Sequence, residues 1–260
     1  VEMEGLLFAR QRSTRTNSST QPRAMPTLKH GYWNIRGLAA PSRMMAAYAG
    51  VEMEDVQYDI VVKPEGGFDG SAWFAKDKPA LAEKNPMVNL PYVHDTENDL
   101  VVTQSTAVYL YLGRKFNLCG STPVELARAE MALAQSLDLR DALIKVVYPF
   151  TGTTAETYPK VLEDHLTKVV PGHYTKFEGF IGDLPFIAGE SVTLGDFHLW
   201  EMLDQHELMA KSGGHASPLA AYPKLSAFYA RFRELPQLKA YFDGADYKLP
   251  VNNKMSFFIK

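Results

Sequence analysis

The chain has 260 residues, which allows one large domain or two modest ones, and 46% of them are hydrophobic, as in ordinary soluble globular proteins. Its formal net charge of −3 gives no reason to expect nucleic acid or an anionic membrane as a partner, and no apolar run approaches the roughly 18 residues of a membrane span. No cluster of His, Cys and Asp has metal-ligand spacing, so we expect no metal, and the single cysteine, Cys119, cannot form an internal disulfide.

Residues 1–26 differ in composition from the rest of the chain. They carry four arginines and a run of Ser, Thr and Asn over 13–20. An organelle transit peptide is typically rich in Arg and Ser and poor in acids, which Glu2 and Glu4 contradict. The alternative is an extension that precedes a natural start at Met25. In either case we expect a flexible leader.

Strand and helix patterns alternate from residue 28 to residue 117. Pro41 suits the first turn of a helix and Gly50 its end, and a β-branched run favours a strand over 56–62. A polar turn over 95–99 indicates a hairpin. The predicted strands cover 28–33, 56–62, 92–94 and 100–103, and the predicted helices cover 41–49, 71–83, which is irregular at Pro79, and 105–117. The order βαβ-α-ββα is that of a thioredoxin-like domain, which we place at 27–117.

After residue 123 we find helical periodicity alone. Apolar residues recur at steps of three and four, as on the buried face of a helix. The predicted helices cover 125–148, 158–181 with a kink at Pro171-Gly172, 193–211, 225–232 and 236–241. Thr193 and Asp196 fit a capping box, in which the threonine caps the third helix and the aspartate reaches back to it. The predicted fold is therefore an α/β domain followed by an all-helical domain over 123–260.

Three short motifs in the first half could form a binding site. They are Gly31-Tyr32-Trp33-Asn34-Ile35-Arg36-Gly37-Leu38, Asn89-Leu90-Pro91 and Thr103-Gln104-Ser105. Tyr32 ends a strand just before a Gly-Leu turn, where its phenol can donate a hydrogen bond to a ligand at the sheet edge or simply cover the core. Ser105 begins a helix, whose unpaired N–H groups can receive a carboxylate, or it is a plain helix cap.

In this order and spacing, ahead of an all-helical half, the motifs resemble the glutathione site of mu-class glutathione transferases. The similarity runs from about residue 28 to Asn253-Lys254-Met255. It implies that Tyr32 is the catalytic tyrosine. A phenol that donates to the glutathione sulfur lowers the thiol pKa from about 8.5 and favours the nucleophilic thiolate.

The resemblance also implies the residues that hold glutathione. Leu90-Pro91 matches a cis-proline junction that presents Leu90 to the cysteinyl part like an added strand; otherwise Pro91 merely begins a strand. Trp73 matches a tryptophan whose indole N–H holds the glycyl carboxylate; otherwise it is a core residue. The implied set is Trp33, Leu38, Trp73, Lys76, Asn89, Leu90, Pro91, Gln104, Ser105 and Asp138.

Asp138 matches an aspartate that reaches across a dimer to the glutamyl ammonium. It could equally be solvated, or pair with Arg140 or Lys145. For the electrophile, the resemblance implies Ile35 and Tyr148, the second as a donor to developing oxygen charge unless it is only a helix-end aromatic. The tail aromatics Phe257 and Phe258 either roof the pocket or pack on the core.

The chain departs from the mu pattern at three positions. The family has an arginine three residues before the tryptophan, where this chain has Gly70, and a lysine four residues after it, where this chain has Asp77. Lys76 could supply that charge, so we expect weaker binding of the glycyl end. Met87 replaces a phenylalanine that plugs a pocket on the partner subunit, and predicts a homodimer with a less specific interface.

The sequence thus predicts a cytoplasmic glutathione S-transferase that joins the glutathione thiolate to small apolar electrophiles. Glutathione is its co-substrate, and we expect no tightly bound cofactor. One alternative is a non-catalytic protein of the same fold that carries ligands or assembles with others. Another is a glutathione-dependent isomerase, which would form no lasting conjugate. A thioredoxin-like redox enzyme is disfavoured because the chain has no Cys-x-x-Cys.

Overall fold

A computed structural model describes residues 27–259, so the predicted leader over 1–26 lies outside the described residues. The strands are β1 (Leu28–Trp33), β2 (Glu54–Tyr58), β3 (Val61–Val62), β4 (Phe68–Asp69), β5 (Tyr92–Asp95) and β6 (Leu100–Thr103). Four of them form a sheet in the order β2-β1-β5-β6. Strand β1 runs parallel to β2 and antiparallel to β5, which pairs antiparallel with β6. This is the predicted thioredoxin-like arrangement.

Helices connect and follow these strands. In the first half they are α1 (Ala40–Ala49), α2 (Lys78–Ala82) and α3 (Ser105–Lys115); in the second half they are α4 (Pro123–Val147), α5 (Tyr158–Asp164), α6 (Val170–Ile181), α7 (Leu194–Ser212), α8 (Pro223–Arg233) and α9 (Lys239–Asp243). The described part of the second half contains no strand, which confirms its predicted all-helical class. Among residues 27–259, no helix is long and apolar enough to cross a membrane.

The predicted strand over 56–62 is wrong in its second half. Strand β2 ends at Tyr58, and the chain turns away so that β3 pairs antiparallel with β4. The turn of this small hairpin contains Gly66 (φ 96°) and Gly67 (φ 83°), whose left-handed backbone suits glycine. Val61 and Val62 are exposed there, so their β-branched side chains signal a strand but not a buried one.

Two predicted helices contain wide turns. A π-helical segment over Ala72–Asp77 leads into α2, whose first turn holds Pro79, so this proline starts a helix instead of interrupting one. A second π-helical segment, His165–Val169, joins α5 to α6 just before Pro171. Because the proline has no N–H group to donate within the helix, the regular hydrogen-bond pattern is interrupted there. The wide turn accommodates this interruption at the predicted kink. The predicted helix over 236–241 is a 3-10 turn followed by α9.

The predicted cap at the start of α7 is present and buried. Asp196 accepts hydrogen bonds from the backbone N–H of Thr193 (2.7 Å) and from its hydroxyl (2.9 Å). A third donor, the N–H of Ile187, lies 2.7 Å from the same carboxylate. Asp196 therefore also ties the preceding loop to the helix, as a structural residue.

An ionic cluster joins the two halves of the molecule. Arg36, in the loop after β1, donates to both oxygens of Glu201 (3.1 and 2.7 Å) and to Asp204 (2.6 Å) on α7. All three side chains are buried. The cation therefore connects the loop beside Tyr32 directly to the central helix of the helical half.

We expect Arg36→Met to lower the free energy of unfolding by about 3–5 kcal/mol, because it leaves two buried carboxylates without their cation. Urea denaturation followed by circular dichroism measures this loss. Arg114→Met is the matched control. Arg114 is exposed and its ion pair with Glu130 is long (4.0 Å), so this variant should change stability little. Equal losses for the two variants would contradict the role of Arg36.

Candidate active site

Tyr32 lies near the end of β1, with its ring only 5% exposed. It forms a small cluster with Ile35 and Ala39, against which Trp33, Leu38 and Leu90 also pack. No described residue forms a hydrogen bond with the Tyr32 hydroxyl, although its ring is surrounded. The O–H group is therefore free to donate to a ligand beside Leu90.

The loop after β1 is shaped to fit this ring. Gly37 has a positive φ of 39°, and a Cβ atom there would lie 2.9 Å from the Tyr32 hydroxyl. The backbone N–H of Arg36 donates to Pro250 (2.7 Å) and that of Gly37 to Val251 (3.1 Å), both in the C-terminal tail. The tail thus fixes the loop that encloses the phenol.

The peptide bond between Leu90 and Pro91 is cis, as predicted. Thr103, at the end of β6, holds the residue before this junction: its hydroxyl accepts from the N–H of Asn89 (3.0 Å) and donates to its carbonyl (2.9 Å). Asn89 itself is exposed and Leu90 half-buried. Leu90 packs against the Tyr32 cluster, so the junction lies beside the phenol, where the cysteinyl part of glutathione was predicted to bind.

The start of α3 is open to a ligand. Gln104 precedes the helix with a φ of 71°, which is uncommon for a residue other than glycine. No side chain caps the helix, so the alternative of Ser105 as a plain cap is wrong: Ser105 is the first helical residue. Its hydroxyl and the uncapped N–H groups of the first turn are suited to receive a carboxylate.

Trp73 is completely buried, as expected if it is a core residue. Its indole ring stacks on Tyr92 (5.7 Å between centroids) and tilts against Tyr58 (5.2 Å). The indole Nε1 is nevertheless buried without a hydrogen-bond partner. Because an unpaired buried donor is costly, this N–H fits an acceptor such as the glycyl carboxylate. Core packing and ligand binding can therefore both apply to Trp73.

The predicted basic arm of the site is weak. At Gly70, a Cβ atom would lie 3.1 Å from Phe74 and 3.3 Å from Trp33, whose rings are 6.0 Å apart, so an aromatic pair fills the space next to this glycine. Asp77 instead accepts a hydrogen bond from the Tyr58 hydroxyl (2.8 Å). Lys76 is exposed and forms no ion pair with a described residue.

Asp138 lies on the exposed side of α4. It forms no ion pair with Arg140 or Lys145 among the described residues, so that alternative is wrong. Its carboxylate remains available to solvent or to a partner subunit.

Tyr148 follows α4 and faces the junction of the two halves. Its oxygen accepts from the backbone N–H of Asn253 (3.1 Å), which leaves its proton free to donate. Burial raises the pKa of Tyr148 to about 12; the bond from Asn253 opposes the rise, Tyr32 adds to it and Arg140 opposes it. Tyr148 is therefore a neutral donor at physiological pH.

The tail aromatics have different surroundings. Phe258 is buried in the main core, so it packs on the core and does not roof the pocket. Phe257 is half-buried, with its N–H bonded to Val147 (2.8 Å) and its ring 5.5 Å from that of Tyr158. Ile35 also lines a small cavity of about 30 Å³ between β2 and the tail.

Two family descriptions match the chain. "Glutathione S-transferase, N-terminal domain" matches residues 28–114, and "Glutathione S-transferase, C-terminal domain" matches residues 137–244. Glutathione S-transferase Mu 3 of Macaca fuscata fuscata is 33% identical over 228 residues, 87% of this chain and 92% of the relative. Glutathione S-transferase Mu 1 of Oryctolagus cuniculus is 34% identical over 222 residues, 85% and 93% of the two chains.

This chain belongs to the glutathione S-transferase family. It is a mu-like glutathione S-transferase, an enzyme that conjugates glutathione, as the sequence predicted. The solved structure of the glutathione S-transferase Blo t 8 has the same fold, with a TM-score of 0.71 and 28% identity over 88% of this chain and 98% of that one. A pi-class glutathione S-transferase of Onchocerca volvulus gives 0.69 and 25%, over 88% and 99%.

Sequence reasoning missed three residues of this glutathione S-transferase site. Thr103 acts by holding the backbone of Asn89, and Phe74 acts by packing near Trp33 beside Gly70. Asn253 acts through its backbone N–H, which no side-chain pattern can reveal. Phe74 had no signal in the sequence either, because its exposure of 56% is seen only in the folded structure.

Trp73→Phe and Lys76→Met test the two residues assigned to the glycyl carboxylate. We expect each variant to weaken glutathione binding about tenfold or more, since a hydrogen bond to a charged group contributes about 1.5–3 kcal/mol. Isothermal titration with glutathione, well below the unfolding temperature, measures the dissociation constants. Unchanged affinity in Trp73→Phe would reduce Trp73 to a core residue.

Proposed function

We propose that Tyr32 donates a hydrogen bond to the sulfur of bound glutathione, and that the thiolate so stabilised attacks a small apolar electrophile. The observation that carries this proposal is the unpaired hydroxyl of a buried tyrosine, beside a cis-proline junction. In this arrangement residues 27–117 bind glutathione, as a co-substrate without any tightly bound cofactor, and residues 123–260 contribute the electrophile pocket.

The energetic argument concerns the fraction of thiolate. A thiol with a pKa of about 8.5 is mostly protonated at neutral pH, and only its anion is a strong nucleophile. A donor that forms a hydrogen bond with the anion lowers this pKa. Lowering the pKa by one unit corresponds to about 1.4 kcal/mol and raises the fraction of thiolate nearly tenfold. One well-placed phenol therefore raises the rate of conjugation at neutral pH simply by increasing the fraction of thiolate.

The remaining predicted residues orient glutathione. Trp33, Leu38 and the junction of Asn89 and Leu90 surround its cysteinyl part. The first turn of α3, with Gln104 and Ser105, receives the glutamyl carboxylate. Trp73 and Lys76 face the glycyl carboxylate, and Asp138 of a partner subunit pairs with the glutamyl ammonium. Their combined effect is to hold the sulfur in place, which adds proximity to activation.

Tyr148 acts on the electrophile in this proposal. Its proton is free, and its oxygen accepts a hydrogen bond from the backbone N–H of Asn253. A donor fixed beforehand stabilises oxygen charge that develops as an epoxide opens or a carbonyl adduct forms. Ile35, next to Tyr32, supplies an apolar contact for the same substrate.

Tyr32→Phe should lower the conjugation rate at pH 6.5 by about tenfold or more, because the bound thiol returns toward its ordinary pKa. Raising the pH should recover part of the rate. Stopped-flow absorbance at the thiolate band, with conjugation of 1-chloro-2,4-dinitrobenzene, follows both quantities. Tyr222→Phe is the control, since its hydroxyl bonds the Pro171 carbonyl in the helical half. The same pH profile in Tyr32→Phe and the parent enzyme would overturn the role of Tyr32.

A homodimer completes the proposal. Met87 is 68% exposed two residues before Asn89. A groove of about 200 Å³ between α4 and α6 is mainly apolar, and is lined by Met131, Ala132, Gln135, Lys176, Phe177 and Phe180. A flexible methionine is suited to fill such an irregular groove on a second copy of the chain.

Met87→Asp should weaken the dimer, because it would place a charge in an apolar groove. Met87→Phe should strengthen it by filling more of that groove. Sedimentation equilibrium measures both dissociation constants. Val124→Asp, at a position that is also 68% exposed, is the control. If Met87→Asp and Val124→Asp give the same dimer affinity as the unmodified protein, Met87 does not hold the interface.

A further inference from the structure

Asp55 is the centre of a hydrogen-bond network on the Tyr32 side of the sheet. In the parallel pairing of β1 with β2, Asp55 is the direct partner of His30, which is completely buried. Its Oδ1 atom lies 2.9 Å from His30 Nδ1, and its Oδ2 atom accepts from Arg43 Nε (3.0 Å). His30 and Tyr32 are two residues apart on β1, so their side chains leave the same face of the strand. The network therefore begins next to the phenol.

One arm of this network leads to Ala39. His30 Nε2 lies 2.8 Å from the Ser42 hydroxyl, which also donates to the Ala39 carbonyl (2.9 Å). Burial lowers the pKa of His30, so the ring is neutral at physiological pH in spite of its bond to Asp55. A carboxylate can only accept, so His30 donates from Nδ1 and accepts at Nε2. The hydroxyl proton of Ser42 is therefore shared between the ring and the carbonyl.

The other arm leads to Ile35. Arg43 donates through Nη1 to the Ile35 carbonyl (2.7 Å), while its Nε donates to Asp55. Burial opposes the ionisation of Asp55, but the hydrogen bond from His30 and the charge of Arg43 lower its pKa to about 2. One ionised carboxylate therefore holds both arms throughout the physiological pH range.

Both arms end at residues that pack against the phenol. Ile35 and Ala39 are the buried residues that form one cluster with Tyr32. Ile35 lies near the start of the loop that joins β1 to α1, and Ala39 ends this loop. The backbone on both sides of the Tyr32 ring is therefore tied to Asp55.

We propose that His30 and Ser42 are positioning residues, which hold this loop so that the Tyr32 hydroxyl keeps its geometry toward the glutathione sulfur. The inference rests on the proposed function. Serine, histidine and aspartate here form the order of bonds found in hydrolytic triads, but Ser42 is completely buried and cannot meet a substrate. A hydrogen bond weakens steeply as its geometry departs from the ideal, so even a small movement of the loop raises the thiol pKa.

Ser42→Ala tests this inference, with Ser136→Ala as its matched control. Ser136 is also a completely buried helical serine, which donates to the carbonyl three residues earlier, that of Leu133 (2.9 Å), and lies 2.8 Å from His198 Nδ1. The two variants lose equivalent bonds, but Leu133 belongs to the main core and not to the Tyr32 cluster. The measurements are the thiol pKa of bound glutathione, from the absorbance of its thiolate band against pH, and kcat and KM for 1-chloro-2,4-dinitrobenzene conjugation.

Ser42→Ala should lower the thiolate fraction of bound glutathione at pH 6.5 about three- to tenfold, and kcat with it, while KM for glutathione changes less than about twofold. His30→Leu, which removes the same arm at its other end, should act in the same way. Ser136→Ala should leave the thiol pKa unchanged although its thermal midpoint falls as far. In a Tyr32→Phe background, Ser42→Ala should have no further effect on the thiol pKa, because the hydroxyl that it positions is gone.

Three results would overturn this inference alone, provided that Tyr32→Phe still raises the thiol pKa. They are an unchanged thiol pKa in Ser42→Ala, an equal rise in Ser136→Ala, and an effect of Ser42→Ala that is as large without the Tyr32 hydroxyl as with it. If Tyr32→Phe itself leaves the thiol pKa unchanged, the proposed function fails, and this inference with it.

Discussion

A guanidinium buried between two carboxylates determines how the two halves of this enzyme are joined. Arg36 contacts Glu201 and Asp204, and neutral donors complete the cluster: Gln205 donates to Glu201 (2.7 Å) and Tyr229 to Asp204 (2.6 Å). Burial raises the pKa of Glu201, and Arg36 opposes that rise. The desolvation of three charges offsets most of their attraction, so such a cluster contributes more to a unique geometry than to net stability.

That geometry connects the two hydroxyl groups of the site. Arg36 comes four residues after Tyr32, and its backbone N–H holds Pro250 of the tail. Three residues later in the tail, Asn253 donates to Tyr148. The phenol assigned to the thiolate and the phenol assigned to the electrophile are thus parts of one hydrogen-bonded structure. Because reactivity falls steeply when reacting atoms are misplaced, a rigid connection between them has a direct catalytic value.

Local signals explain which parts of the fold could be predicted from sequence. The helix over 41–49 has Pro41 in its first turn and Gly50 in the left-handed conformation after its end, so both boundaries are encoded within the helix itself. The strand over 56–62 failed because β-branched residues signal extended backbone but not which strand they pair with. Strand β3 pairs with a two-residue strand, β4, that is too short to have a pattern of its own.

In the candidate site, too, some residues could be predicted from local sequence and others could not. Tyr32 and the cis bond before Pro91 belong to short contiguous motifs, which a single sequence can reveal. Trp73 could not be assigned so simply, since its ring packs between Tyr58 and Tyr92 while its N–H remains unpaired. Thr103 carried no signal, because only the folded structure brings its hydroxyl to the backbone of Asn89.

The distribution of positive charge gives this site its character. Glutathione brings two carboxylates and, once ionised, a thiolate. At its glycyl end the chain has Gly70, an aromatic pair and an Asp77 that is bonded to Tyr58, so Lys76 is the basic residue assigned there. Charge near the glycyl carboxylate strengthens binding of the ground state and transition state alike. The loss of basic residues at this end therefore lowers the affinity for glutathione without lowering the rate of the bound complex, which depends on the hydroxyl groups that face the reacting atoms.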